Sequence, residues 1–150
     1  MRIIGFLLLF LVVLLPGGAI AQEPPQAQAP AFERVATISQ IMAEIIYPAS
    51  NDLFNVQRVA PADYTEWTRV QRSALMLAES ANLLVMPGRA MDQNEWIKDA
   101  KLMRDVGAAA YKAAVARDVD ALVAINEQLN DSCVTCHTSY HPRYRNRPRQ

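Results

Sequence analysis

The chain has 150 residues with 15 basic and 15 acidic side chains, so its formal net charge is zero when both histidines are neutral. This balance argues against nucleic acid or another strongly charged molecule as a partner. The length suits one domain with a single hydrophobic core and is too short for two comfortable ones.

The first 21 residues have the pattern of a secretory signal peptide. Arg2 precedes an almost unbroken apolar run at residues 3–15, and Ala-Ile-Ala at residues 19–21 has the small-x-small form of a signal-peptidase site. A membrane anchor is the competing interpretation, but the run is shorter than the roughly 20 residues that a spanning helix needs. We therefore predict a periplasmic protein that is cleaved near Ala21 and keeps no membrane anchor.

Three regions are predicted after the cleavage site. Residues 22–31 mix proline, glutamine and alanine without periodicity, which is typical of a linker. Residues 32–145 carry the apolar periodicity of one helical domain. Residues 146–150 form a basic tail, within a stretch where every second residue from Arg143 to Arg149 is arginine, and we interpret it as solvated.

The first helix is predicted to begin at Phe32, because apolar residues recur every three or four positions from there to Leu53. Pro48 interrupts this stripe. A proline inside a helix removes a backbone donor and crowds the carbonyl group four residues earlier, near Glu44. We expect a kink or a break at this point.

Capping-box patterns mark the starts of the second and third helices. Asp63 is followed three residues later by Glu66, and Asp92 by Glu95. The predicted spans are 64–85 for the second helix and 94–116 for the third. The second half of the third helix, "GAAAYKAAVA", has few bulky side chains and would let its backbone approach a large neighbour closely.

The fourth helix should be capped by Asp118 or Asp120 and should end near Pro142. Its apolar stripe alternates spacings of three and four residues through Leu122, Ile125, Leu129, Cys133, Cys136 and Tyr140. The two cysteines are therefore predicted to face the core. No segment has the alternating pattern of a strand, so the fold class is predicted to be all-α, an antiparallel four-helix bundle.

The only cysteines and the only histidines of the chain lie together in the fourth helix, in the sequence Cys133-x-x-Cys136-His137 followed by His141. Residues spaced by three and four positions share one face of a helix. The pattern C-x-x-C-H is typical of covalent haem attachment, in which two thiols form thioether bonds and the histidine ligates the iron. It predicts one haem c per chain, with His137 as the proximal axial ligand.

Other interpretations of these residues remain open. A thioredoxin-like redox pair normally follows a strand, which the sequence does not predict. A zinc site formed by Cys133, Cys136, His137 and His141 has suitable ligands, but two turns of one helix cannot easily surround a tetrahedral ion. A structural disulfide between the two cysteines would close a loop too small to stabilise the fold much. Chance occurrence of the motif in a core helix is the remaining alternative.

A signal peptide, four helices and a late C-x-x-C-H motif resemble the class II cytochromes c, the cytochrome c′ family with its low-spin, methionine-ligated relatives. The resemblance covers residues 32–144. It implies a haem near one end of the bundle, against the alanine-rich half of the third helix, and it is compatible with a homodimer through the first two helices. Family members commonly have Tyr-Arg where this chain has Tyr140 followed by His141, which replaces a permanent cation with a titratable group.

The resemblance also places Met42 in the first helix opposite His137, as a candidate distal axial ligand of the iron. Thioether sulfur is a known haem ligand that raises the reduction potential, whereas packing in the core is the alternative role for this methionine. With both axial positions filled, the protein would transfer single electrons between redox partner proteins. With an open distal site it would bind nitric oxide or carbon monoxide. No sequence feature indicates an enzyme.

Overall fold

The computed structural model describes residues 32–141 and Arg143. The predicted signal peptide, linker and basic tail lie outside the described residues. Within them the chain is all-helical, has no strand, and forms four helices. Helix α1 consists of three consecutive segments, Ile38–Ile41, a π-helical segment Met42–Ile46, and Tyr47–Asn55; the other helices are α2 (Tyr64–Leu84), α3 (Glu95–Ala116) and α4 (Val119–Tyr140).

Helix α1 begins at Ile38, so the prediction of a start at Phe32 is wrong. A capping box explains the later start, since Gln40 N donates to Thr37 Oγ1 at 3.2 Å and Thr37 N donates to Gln40 Oε1 at 2.9 Å. The apolar residues before it have no core to pack against, because Phe32 is 60% and Val35 is 94% exposed. Their periodicity therefore does not produce a helix.

Pro48 is preceded by a widened turn. The backbone N–H of Tyr47 donates to Met42 O, five residues earlier, which is the hydrogen bond of a π-helix. Proline has no N–H to donate and crowds the preceding turn, so a local irregularity at this position is expected. The helix does not break at Pro48: the irregularity takes the form of a π-helical segment, and the helix continues to Asn55.

Aspartate side chains cap the N-termini of two of the later helices, as predicted. Glu66 N donates to Asp63 Oδ1 at 2.9 Å at the start of α2. Ala121 N donates to Asp118 Oδ1 at 2.9 Å at the start of α4, which decides between the two predicted caps. Each bond satisfies a backbone donor that has no partner inside its helix.

The helices form a closed ring of contacts in chain order: α1 packs on α2, α2 on α3, α3 on α4, and the last segment of α1 on α4.

Side-chain contacts connect four helix ends on one side of the domain. Arg89, between α2 and α3, donates to Ala36 O just before α1; Trp96 near the start of α3 donates to Leu84 O at the end of α2. Tyr140 at the end of α4 contacts Trp96. The all-helical prediction is confirmed, and the arrangement is consistent with the predicted bundle.

The alanine-rich half of α3 packs closely against α2. A Cβ atom added at Gly107 would lie 2.7 Å from Ala78 N and 2.9 Å from Ala78 Cα, distances that real side chains do not tolerate. Ala110 and Ala114 are buried on the same helix, and Gln71 of α2 donates to Ala114 O at 3.2 Å. The small side chains thus allow two helix backbones to approach, a role that requires no cofactor.

Among residues 32–141, no helix combines the length and the apolar character that crossing a bilayer requires.

Replacing Gly107 with Ala should destabilise the fold. The added methyl group would force α2 and α3 apart, and overpacking of this kind costs roughly 1–3 kcal/mol. Alanine is favoured over glycine inside a helix by about 1 kcal/mol, which offsets part of this cost. We therefore expect a lower melting temperature in thermal unfolding followed by circular dichroism.

The exposed position Ala109 supplies the control. There, Ala109→Gly should lose about 1 kcal/mol through helix propensity alone. A melting temperature that rises in Gly107→Ala would contradict the close approach of the two helices.

Candidate functional site

Helix α4 places the cysteine-histidine motif on one face. Cys133, Cys136 and His137 are each half-buried, and the spacing of three and four residues brings their side chains to the same side of the helix. The helix continues through the motif to Tyr140, and His141 N donates to His137 O at 3.0 Å at its end. The predicted end of the helix before Pro142 is confirmed.

Both cysteines are free thiols with raised pKa values. Burial raises the pKa of Cys133 above its ordinary value, against a smaller opposing effect of a hydrogen bond with Ser132. Burial, followed by the negative charge of Asp99, raises the pKa of Cys136 to about 11. The two thiols are therefore protonated at neutral pH, unlike the activated thiolate of a thioredoxin-like pair.

The surroundings of His137 favour its neutral form. Burial lowers the pKa of its imidazole, and the nearby imidazole of His141 lowers it further. The two ring centroids lie 5.4 Å apart with the planes tilted by 49°. A neutral imidazole is the form that binds a metal ion, so His137 is ready to act as a ligand at neutral pH.

Tyr140 connects the end of α4 to the start of α3. Its hydroxyl donates to Asp92 Oδ2, and its ring packs edge-on against Trp96, with ring centroids 4.9 Å apart at 79°. Trp96 Nε1 in turn donates to Leu84 O at 2.8 Å. We call Asp92, Trp96 and Tyr140 the α4 clamp, because together they fix the last turn of the helix that carries the motif.

The clamp shifts the pKa values of both of its ionisable members. The hydrogen bond with Asp92 is the main cause that raises the pKa of Tyr140 to about 12. The same bond, followed by the backbone N–H groups of Trp96 and Asn94, lowers the pKa of Asp92. Asp92 was predicted only as a helix cap, and nothing local in the sequence indicates its partner in α4.

Asp99 is a buried carboxyl group that sequence reasoning missed. It is only 3% exposed, and burial, followed by the charge of Glu95, raises its pKa. It is close enough to Cys136 to raise the pKa of that thiol. Its position three residues after Trp96 and four before Met103, both core residues, is the signal that places it on the inner face of α3.

Met42 lies at the same end of the helical domain as the motif. It begins the π-helical segment of α1, is half-buried, and packs against the hydrophobic core. The start of α1 and the end of α4 are both tied to the connection between α2 and α3, the first through Arg89 and the second through Asp92. Glu44, also in this segment, is exposed, as the stripe predicts.

In the part of the chain that the structure describes, no three His, Cys, Asp or Glu side chains are grouped so as to hold a metal ion. The four residues of the zinc alternative, Cys133, Cys136, His137 and His141, all belong to this part, and they do not form such a group.

Comparisons of the chain with protein-family models, curated proteins and solved structures give no match. The residues of the site therefore provide the evidence for function: two thiols, an imidazole whose pKa is lowered, and the clamp that holds their helix.

Changing Tyr140 to Phe should lower the melting temperature at neutral pH, because it removes the hydroxyl bond to Asp92 and keeps the ring against Trp96. The pKa of Asp92 lies below its ordinary value of 3.8 in the folded chain. The stabilisation is therefore present above pH 3.8 and is lost as the pH falls through the lowered value. The gap between wild type and variant should close over that acidic range.

Tyr64→Phe removes the same atom from a side chain that is 74% exposed, and it should leave the melting curve unchanged. A gap between wild type and Tyr140→Phe that stays constant down to the most acidic pH would exclude Asp92 as the partner.

Proposed function

We propose that the protein is an exported c-type cytochrome that carries one haem c and transfers single electrons between redox partner proteins. The observation that carries this proposal is the common face of Cys133, Cys136 and His137 on α4, where two free thiols and an imidazole lie half-buried side by side. The thiols would hold the haem by thioether bonds, and His137 would ligate its iron. Residues 1–21 would direct the chain to the periplasm, where such attachment takes place.

The protonation states favoured at the site suit the covalent attachment and ligation of a haem. Thioether formation starts from cysteine thiols; Cys133 and Cys136 are not joined to each other, and burial raises their pKa values. Ligation requires an unprotonated nitrogen, and burial lowers the pKa of His137 in the direction that supplies one. When bound, haem provides an iron that changes oxidation state by one electron.

The α4 clamp supports a role in electron transfer. Tyr140 is four residues beyond Cys136 and three beyond His137, so the clamp fixes the same turns that carry the motif. Electron transfer needs little rearrangement between oxidation states, and a helix end held by a hydrogen bond and an aromatic contact resists rearrangement. The short distance along α4 lets this restraint act directly on the proximal histidine.

Met42 is the residue that we propose as the distal ligand. It lies one turn inside α1, in a π-helical segment, and segments of this kind occur frequently at functional sites. Its half-buried side chain is at the end of the domain where α4 terminates. A thioether ligand would complete a six-coordinate iron and suit single-electron transfer better than gas binding.

Covalent attachment is tested by extracting the holoprotein with acidified acetone. The haem should stay on the denatured chain, because two carbon–sulfur bonds hold it. In the variant Cys133→Ala/Cys136→Ala the haem should be extracted, and each single variant should keep one unsaturated vinyl group, visible in the pyridine haemochrome spectrum. Thr135→Ala, an exposed change between the two cysteines, is the control and should behave as wild type. Complete extraction from the wild-type chain would refute covalent attachment.

Distal ligation is tested by Met42→Ala. If Met42 ligates the iron, the wild-type protein should be low-spin when oxidised and bind carbon monoxide slowly when reduced, whereas the variant should become high-spin and bind it readily. Met76→Ala, at a methionine that is 46% exposed, should leave both spectra unchanged.

A high-spin wild-type spectrum would instead favour the gas-binding function. In that case Met42 would have only a packing role, and its replacement would cost about 2 kcal/mol or less, since the side chain is half-buried.

A further inference from the structure

A groove with two arginines lies beside the start of α1. It has a volume of about 420 Å³ and is lined by residues 34–39 together with Gly88 and Arg89 from the connection between α2 and α3. Neither arginine has a carboxylate within ion-pair distance among the residues that the structure describes. The groove therefore carries two positive charges that no carboxylate of the described residues neutralises.

Arg89 is buried, with only 7% of its surface exposed. Its Nη1 donates to Leu83 O at 3.1 Å and to Met86 Sδ at 3.0 Å, and its Nη2 donates to Ala36 O at 3.0 Å. Its Nε is buried and has no hydrogen-bond partner within the described residues. Burying a charge without an opposite charge is unfavourable, and so is leaving a buried donor unpaired. An anion in the groove would supply the opposite charge that Arg89 lacks.

Arg34 is the second cation of the groove, and it is exposed. Its Nη1 donates to Gly88 O, and the guanidinium covers Gly88 so closely that a Cβ atom there would lie 3.3 Å from Nη1. Gly88 also has a positive φ of 78°, a conformation that glycine adopts without strain. The backbone at Gly88 is thus shaped so that Arg34 can lie across it, next to Arg89.

We propose that this groove binds a small oxyanion, a carboxylate or a phosphate, between Arg34 and Arg89. Guanidinium groups recognise these anions because their planar N–H donors match two oxygen atoms at once. Arg89 supplies a donor that is fixed in place by its bonds to the backbone, and Arg34 closes the groove from the solvent side. The inference depends only on α1 and on the connection between α2 and α3, and it holds whether or not the chain carries haem.

The test uses the full chain as it is isolated, with inorganic phosphate as the first probe and succinate as the second. Titration calorimetry should detect binding of both, and both should raise the melting temperature as their concentration increases. Sodium chloride at matched ionic strength should neither give a binding signal nor raise the melting temperature. Loss of one charge-assisted hydrogen bond should weaken binding roughly ten- to hundredfold in Arg34→Gln.

Arg72→Gln is the matched control, because Arg72 is an exposed arginine of α2 outside the groove. It should bind both probes as tightly as the wild-type chain does. Arg89→Lys keeps the positive charge but loses the planar guanidinium donors, so it should weaken binding as well; if it fails to fold, Arg34→Gln decides alone. Equal phosphate affinity in wild type and Arg34→Gln, or an equal effect of chloride on the wild type, would overturn the proposal.

Discussion

The hydrogen bond between Tyr140 and Asp92 is the contact on which the candidate site depends most. Asp92 is already oriented at the start of α3, since it accepts from the backbone N–H groups of Asn94 and Trp96. The tyrosine hydroxyl adds a third donor to this carboxylate group. Because Trp96 also supports the tyrosine ring and bonds to the end of α2, one small cluster fixes three helix ends. This cluster therefore restrains the position of the motif on α4.

Burial at the motif favours neutral side chains rather than reactive ones. The thiols of Cys133 and Cys136 resist ionisation, and His137 resists protonation, for the same reason: a partly buried site penalises charge. The buried carboxyl of Asp99 strengthens this effect at Cys136, since a second negative charge nearby would be unfavourable. These conditions disfavour thiol–disulfide exchange, which needs a thiolate, and they suit side chains that bind a cofactor once and hold it.

The sequence predicts the parts of the fold that depend on nearby residues. The starts of α2 and α4 follow from Asp63 and Asp118, whose side chains bond to backbone groups three residues away. Apolar periodicity is less reliable just before α1, because Phe32 and Val35 continue the stripe but are exposed to solvent. Periodicity describes one face of a segment and carries no information about whether another helix packs against it.

The long-range features of the site could not be predicted in this way. Asp92 is identifiable as a helix cap, but its bond to Tyr140 joins residues 48 positions apart. The small residues around Gly107 are identifiable as a close approach, yet only the structure shows that the neighbour is Ala78 of α2. At Gly107 the sequence predicts a close contact without its partner, and at Asp92 it predicts a helix cap without the contact to α4; both partners follow from how the helices are arranged.

The connection between α2 and α3 determines where Met42 lies relative to the motif. Arg89 in that connection bonds to Ala36 and so fixes the chain as it enters α1. Asp92, three residues later, holds Tyr140 and so fixes the end of α4. The start of α1 and the end of α4 are thus both anchored to the same short segment, in addition to the contact of the last segment of α1 with α4. Arg89 and Asp92 have no redox chemistry, yet a change in either residue would alter the spacing of the proposed axial ligands Met42 and His137.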